Sequence, residues 1–226
     1  MMNFILEPLQ FAFMQRALLG TVTVGVLCAV LGTFVVLRKI AFIGEGLAHG
    51  SLAGLAIGYL LHLNLYLAGN IYTVALAILI AYLHEKAKVS FDTAIGIIFS
   101  ASMAFGIALI STMKFYTTDL TGYLFGSVLS ISASDLKIML AGTGIVLSLI
   151  FLFYKELVLC AFDGEMAVVA GVPRTFLHYL LLAMIATAVI IASQTVGIIL
   201  VTALLVTPAA SAFQLTSRLD RMIGLA

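Results

Sequence analysis

Residues 179–217, YLLLAMIATAVIIASQTVGIILVTALLVTPAASAFQLTS, contain no charged side chain. A helix that crosses the hydrocarbon core of a bilayer needs about 20 mostly apolar residues. This stretch is too long for one crossing and is read as two, with the break expected at the polar pair Ser193-Gln194. Applied outward along the chain, the same rule predicts seven spans, at 17–37, 40–61, 65–83, 93–113, 138–154, 176–193 and 195–213. Charge occurs inside only the second. A shorter apolar run at 122–132, between Asp119 and Asp135, has the length of a segment that dips into a membrane without crossing it.

The composition agrees with these runs. Of 226 residues, 63% are hydrophobic and 9% charged, and the mean hydropathy is +1.23. An average soluble domain carries roughly 25% charged residues, so there are too few charges here to cover a surface in water. The expected class is all-α, a polytopic transmembrane helix bundle of about seven spans plus a short re-entrant segment, in a single domain over 1–226. A net charge of +1 provides no basic face for a phosphate backbone, which argues against a nucleic-acid partner. Cys28 and Cys160 are read as free thiols: they fall in a span centre and a loop, too far apart to bridge. Glu7 and Pro8 precede the first apolar run without a cleavage signal, so that run is expected to stay as an anchor. The final residues, MIGLA, turn apolar again, and the chain is expected to continue into at least one further helix.

Alternating the seven spans collects eight Lys or Arg on one side, in the loops at 38–39, 86–88, 155–174 and 218–221, against Arg16, Lys114 and Lys137 on the other. Cytoplasmic loops are the basic ones. The N-terminus is therefore expected outside and the last residue inside.

Ionisable groups inside a membrane are costly unless they pair or meet water, and they commonly mark ion paths. The second span carries two, Glu45 and His49. Their i, i+4 spacing stacks them on one helix face, where a carboxylate oxygen and an imidazole nitrogen can reach one ion of the Zn, Mn or Fe kind. The alternative is an interfacial pair, with Glu45 neutralised by the nearby Arg38 and Lys39. Gly46, Gly50, Gly54 and Gly58 recur at every fourth position beside this face, a pattern that lets another backbone approach closely, whether within the subunit or across a dimer seam. His62, His84 and His178 stand at span ends or alone in apolar sequence and are read as loop or membrane-interface histidines. Asp119 and Asp135, which flank the short run, suit either a cation-attracting mouth or helix N-caps, the latter especially for Asp135 in the sequence SASD.

In the loop at 155–174, Met166, Val169, Ala170 and Val172 suit a short amphipathic helix after Asp163, ended by Gly171 and Pro173. Such a helix fits a soluble partner or a headgroup surface. The chain has no G-x-x-x-x-G-K-[ST] phosphate loop, no H-E-x-x-H and no G-x-S-x-G, so neither ATP hydrolysis nor peptidase or esterase chemistry is expected of it.

Four blocks, RKIAFIGEGLAHGSLAGLAIG at 38–58, DLTGYLFGSVLSIS at 119–132, KELVLCAFDGEMAVVAGV at 155–172 and QTVGIILVTALLVTPAASA at 194–212, resemble in order those of the metal-ion ABC importer permeases that serve zinc, manganese and iron. The resemblance runs from about residue 36 to 215. It implies a multi-pass protein of a bacterial or archaeal plasma membrane that works by alternating access. The implied partners are a second permease subunit, cytoplasmic ATPase subunits and an extracytoplasmic metal-binding protein. No permanently bound cofactor is implied, only a transported divalent ion. The family's metal path falls on Glu45, where the family often has Asp, and His49; Ala53 stands where it commonly has Pro. Its ATPase-coupling segment falls on Phe162, Asp163, Gly164, Glu165, Met166, Ala167 and onward to Gly171. The competing reading is an ion-coupled secondary metal transporter in which Glu45 binds a proton.

Overall fold

The computed structural model describes residues 10–112, 126–216 and 218–226. Within them the chain forms ten α-helices and one short 3-10 turn: α1 (Ala12–Leu37), α2 (Ile43–Leu60), α3 (Leu65–Ala87), α4 (Phe91–Ser111), the 3-10 turn Val128–Ser130, α5 (Ala133–Leu152), α6 (Tyr154–Phe162), α7 (Gly164–Val169), α8 (Arg174–Val196), α9 (Ile198–Leu215) and α10 (Leu219–Leu225). In hydrocarbon every backbone polar group must be satisfied within the protein, and a helix bundle does this segment by segment.

Six helices, α1, α3, α4, α5, α8 and α9, are long and apolar enough to cross a membrane. The seventh expected span corresponds to α2, which falls short because Glu45, His49 and its glycines dilute its hydropathy. It is an interior helix of the bundle, with 13 of its 18 residues buried, enclosed by α3, α4, α8 and α9. Burial separates the rest into layers. The most apolar window of α8 is 61% buried, whereas those of α4 and α5 are each 22% buried. α8 therefore forms the centre of the bundle, and α4 and α5 turn residues such as Ile107 and Ile145 outward. Lipid is as apolar as leucine, so these helices associate through close packing and hydrogen bonds rather than by escaping water. Gly32 illustrates this: without a side chain, it lets the Leu205 carbonyl of α9 lie directly against α1.

The helix ends follow local chemistry. Ser132 and Asp135 form a reciprocal capping box, with the Asp135 N–H donating to the Ser132 hydroxyl at 3.1 Å and the Ser132 N–H donating to the Asp135 carboxylate at 3.0 Å. α5 consequently starts at Ala133 rather than at 138. The break expected at Ser193-Gln194 lies instead at Gly197, whose φ of +81° ends α8. The hydroxyls of Ser193 and Thr195 bond back to the carbonyls of Ile190 and Ala192, so polarity at this point does not interrupt the helix. Sequence reading also missed α6, which seats Leu157 in the core. Of the expected re-entrant run, 122–125 lies outside the described residues, as do Lys114 and Asp119; the described part includes the 3-10 turn, preceded by Ser127, whose N–H faces the Gln194 carbonyl at 3.5 Å.

Arg38 and Lys39, Glu85 at the end of α3, Phe91 at the start of α4, and Cys160, Val168 and Arg174 line one cavity, and α10 joins that end through the Tyr154 hydroxyl, which donates to Asp220 at 2.8 Å. The four basic loops are thus gathered at one end of the bundle. Lys137 lies at the other, near the contact of Gly20 with Ile131 and Met139. Cys28 and Cys160 are both free.

Candidate functional site

α2 begins at Ile43 without a side-chain cap, and Glu45 lies in its first turn, where the helix dipole favours a negative charge. Glu45 is exposed and His49 half-buried, while Gly44, Gly46, Leu47 and Ala48 around them are buried. The two ionisable groups therefore mark the open strip of an otherwise enclosed helix. The His49 ring sits edge-on to Phe99 of α4, with centroids 5.9 Å apart. A carboxylate and an imidazole one turn apart supply two ligands to an ion that takes four or more; among the described residues, no group of three or more His, Cys, Asp or Glu could hold a metal.

The glycine stripe faces neighbours in the same chain. A Cβ on Gly46 would enter the space of Ile95, one on Gly50 that of Leu76, one on Gly54 the Tyr72 side chain, and one on Gly58 the Ala68 methyl. Gly50 and Gly54 also lie beside a hydrogen-bond relay that sequence reading did not find. Ser102 donates to the Gly50 carbonyl at 2.8 Å, which leaves its oxygen to accept from the Tyr72 hydroxyl at 3.0 Å. Side chains of α3 and α4 thereby grip α2 at the residue after His49.

At the basic end, Asp163 caps α7 by accepting from the N–H groups of Glu165 and Met166 at 3.1 and 2.9 Å. The helix closes with Gly171 at φ +75°, where the N–H groups of Gly171 and Val172 return to the carbonyls of Val168 and Ala167, a Schellman end. Only Ala167 is buried; Phe162, Met166, Val168 and Val169 are exposed. The segment 162–171 is a short capped helix at the end of the bundle that exposes Phe162, Met166, Val168 and Val169 beside Asp163 and Glu165.

The histidines at this end are not isolated as expected. His84 and His178 both pack on Phe91, at 4.4 and 5.5 Å between centroids, and His178 Nδ1 accepts from the Arg38 guanidinium at 3.0 Å. The Arg38 hydrogen bond thus goes to α8, whereas sequence proximity had suggested Glu45 as its partner. His62 stays exposed at the end of α2.

Comparison with known proteins finds a match to the ABC 3 transport family over residues 10–226. The chain belongs to that family. It is an integral membrane transport protein, and the resemblance carried by its four sequence blocks holds. The manganese transport system membrane protein MntC of Listeria monocytogenes is 43% identical over 225 residues, covering all of this chain and 80% of that protein. The chelated iron transport system membrane protein YfeD of Yersinia pestis is 36% identical, covering 99% of this chain and 75% of its own. Among solved structures, PsaBC from Streptococcus pneumoniae in complex with Fab superposes with a TM-score of 0.87 at 35% identity, over the whole of this chain and 81% of that one. An inward-facing putative metal-chelate type ABC transporter shares the fold, with a TM-score of 0.71 at 16% identity over 93% of this chain and 71% of that one. In an ABC 3 protein the ion-coupled carrier reading loses its footing.

Proposed function

We propose that this chain is the permease of an ATP-driven importer of a divalent transition-metal ion, with Glu45 and His49 on the ion's path. The observation that carries the reading is the open strip on α2: the two ionisable groups are the accessible side of an interior helix whose other faces are buried. Oxygen and imidazole donors accept manganese, iron and zinc alike. Manganese is the first candidate, because relatives 43%, 42% and 40% identical are named as manganese transport proteins.

Two ligands are too few for a transported ion. A second copy of the chain, facing the first across α2, would bring another Glu45 and His49 and complete a four-ligand set. Delivery would come from an extracytoplasmic metal-binding protein. The segment 162–171, with Met166 and Val169 exposed, would seat in cytoplasmic ATPase subunits, and the gathering of basic loops at that end supports a cytoplasmic placement in a bacterial plasma membrane. ATP binding would then move α7 against the bundle and open the path to one side at a time.

The test is uptake of radiolabelled manganese by cells carrying His49→Ala or Glu45→Gln, with co-purification of the ATPase subunits measured in parallel. Uptake is expected to fall to background while the assembly stays intact. Normal accumulation in both variants would sink the site assignment, and metal-driven uptake by the purified chain in vesicles without ATP would sink the importer reading.

A further inference from the structure

The cavity at the basic end has a volume of about 820 Å³. It lies where α1 ends and α8 begins, so it opens at the depth where the spans leave the hydrocarbon. Three cations line it, Arg38, Lys39 and Arg174, against one acid, Glu85, a balance of 3 − 1 = +2. Glu85 is already engaged, accepting from the Tyr179 hydroxyl at 3.2 Å.

Arg38 lacks a counter-charge. Among the described residues no carboxylate lies within 4.0 Å of its guanidinium. Its partner is His178, and because a guanidinium can only donate, Nδ1 of His178 is the acceptor and that ring is neutral. Nε of Arg38 and Nε2 of His178 are both buried with no partner among the described residues. Burial first, and the Arg174 guanidinium after it, push the Arg38 pKa below its ordinary value, with Cys160 opposing. A half-buried cation without a counter-charge is costly to hold unless an anion completes it. The remaining lining is mixed: His84, Thr175 and His178 are polar, while Phe91, Phe176 and Val168 form an apolar part of the wall.

We propose that this cavity binds the phosphate headgroup of an anionic phospholipid, Arg38, Lys39 and Arg174 holding the phosphate and the apolar wall taking the glycerol and first acyl carbons. A basic pocket between membrane helices at the cytoplasmic surface has the chemistry for such headgroups, and the volume exceeds what a single carboxylate side chain would fill. Arg174 also reaches the ATPase-docking segment: a Cβ on Gly164 would lie 2.9 Å from its Cζ, so its guanidinium rests on the first turn of α7. A bound lipid would brace the helix on which, resting on the reading above, the ATPase docks.

The experiment measures phosphatidylglycerol retained by the purified intact protein from mixed phosphatidylglycerol and phosphatidylcholine nanodiscs, by native mass spectrometry. Wild type is expected to retain phosphatidylglycerol preferentially. Arg38→Gln, Lys39→Gln and Arg174→Gln should each reduce that preference about tenfold, the scale of one lost charge-assisted contact. Lys137→Gln, at the opposite end, should leave it unchanged. Millimolar inorganic phosphate should fail to displace the lipid; displacement would make this a free-phosphate site and overturn the proposal. Should Arg38→Gln not fold, the exposed Lys39 and Arg174 decide. Wild-type retention in both overturns the proposal, as does unchanged retention with weakened ATPase binding, which would assign the cations to the protein partner. Transport is not needed for this readout, so failure of the importer reading and failure of the lipid site are distinguishable.

Discussion

The Ser102 hydroxyl on α4 donates to the main-chain carbonyl of Gly50 on α2 at 2.8 Å and is itself held by the Tyr72 hydroxyl of α3 at 3.0 Å. Three helices meet in this relay one residue beyond His49. Side-chain hydrogen bonds between membrane helices average about 0.6 kcal/mol and reach about 1.7. Ser102 is buried and its acceptor is a backbone carbonyl, so Ser102→Ala is expected near the upper figure and Tyr72→Phe near the lower. Thermal unfolding in detergent measures both; equal stability of wild type and Ser102→Ala would show that the relay does not hold α2.

The glycine stripe predicts a contrast between substitutions of the same kind. A Cβ on Gly54 would lie 2.9 Å from Cγ of Tyr72, close to the α3 backbone, where the ring cannot swing clear. Gly54→Ala is therefore expected to destabilise by about 1–3 kcal/mol, as overpacking does. Gly96 on α4 has nothing within 4 Å, and Gly96→Ala should stabilise by about 0.5–1 kcal/mol through helix propensity. Denaturation of the two single variants, read side by side, checks the sign of each.

Asp163 supplies both N-cap hydrogen bonds of α7. Asp163→Ala is expected to cost that helix about 0.5–2 kcal/mol, while Asp163→Asn keeps an accepting oxygen. Amide exchange over 164–169 should quicken in the alanine variant alone, and, on the proposed docking role of this segment, metal uptake by cells should fall with it. Faster exchange with undiminished uptake would separate α7 from coupling.

The Tyr154 hydroxyl is pushed up to about 12, by burial first and then by its hydrogen bond to Asp220 and that carboxylate's charge. A folded-state value above the unfolded value of about 10 means that the neutral phenol favours the folded state. Its contribution is complete below about pH 10 and is lost as pH rises through about 12. Absorbance titration should show a tyrosine phase near 12 that disappears in Tyr154→Phe and moves down in Asp220→Asn. An unchanged titration of Tyr154 in Asp220→Asn would mean the bond to α10 is not formed.

Much of this arrangement was legible in the sequence where local rules apply. Asp163 and Gly171 act within a turn of their own helix, so their roles follow from spacing, whereas Asp135, read as a cap or a mouth residue, proves to be the third helical position of a capping box whose N-cap is Ser132. Glu45 and His49 stood out because charge inside an apolar run is rare. Other features were not legible, for reasons of distance. His178 looked solitary because its partner, Arg38, is 140 residues away, and Ser102 looked like one more small residue because its acceptor belongs to another helix. The break between α8 and α9 was misplaced because Ser193 and Gln194 are polar, whereas the polar side chain of Ser193 is satisfied by the preceding turn and the kink depends on Gly197 taking a positive φ.

The sequence by itself determined that the chain is a bundle of membrane helices with a carboxylate and an imidazole on one face of α2, because hydropathy and i, i+4 spacing are properties of a single segment. Only the tertiary structure decided that α2 is an interior helix rather than one more lipid-facing span. Its glycines lie against Ile95, Leu76, Tyr72 and Ala68, close approaches that depend on which helices are neighbours, and helix neighbours are selected by shape and hydrogen bonding across the bundle.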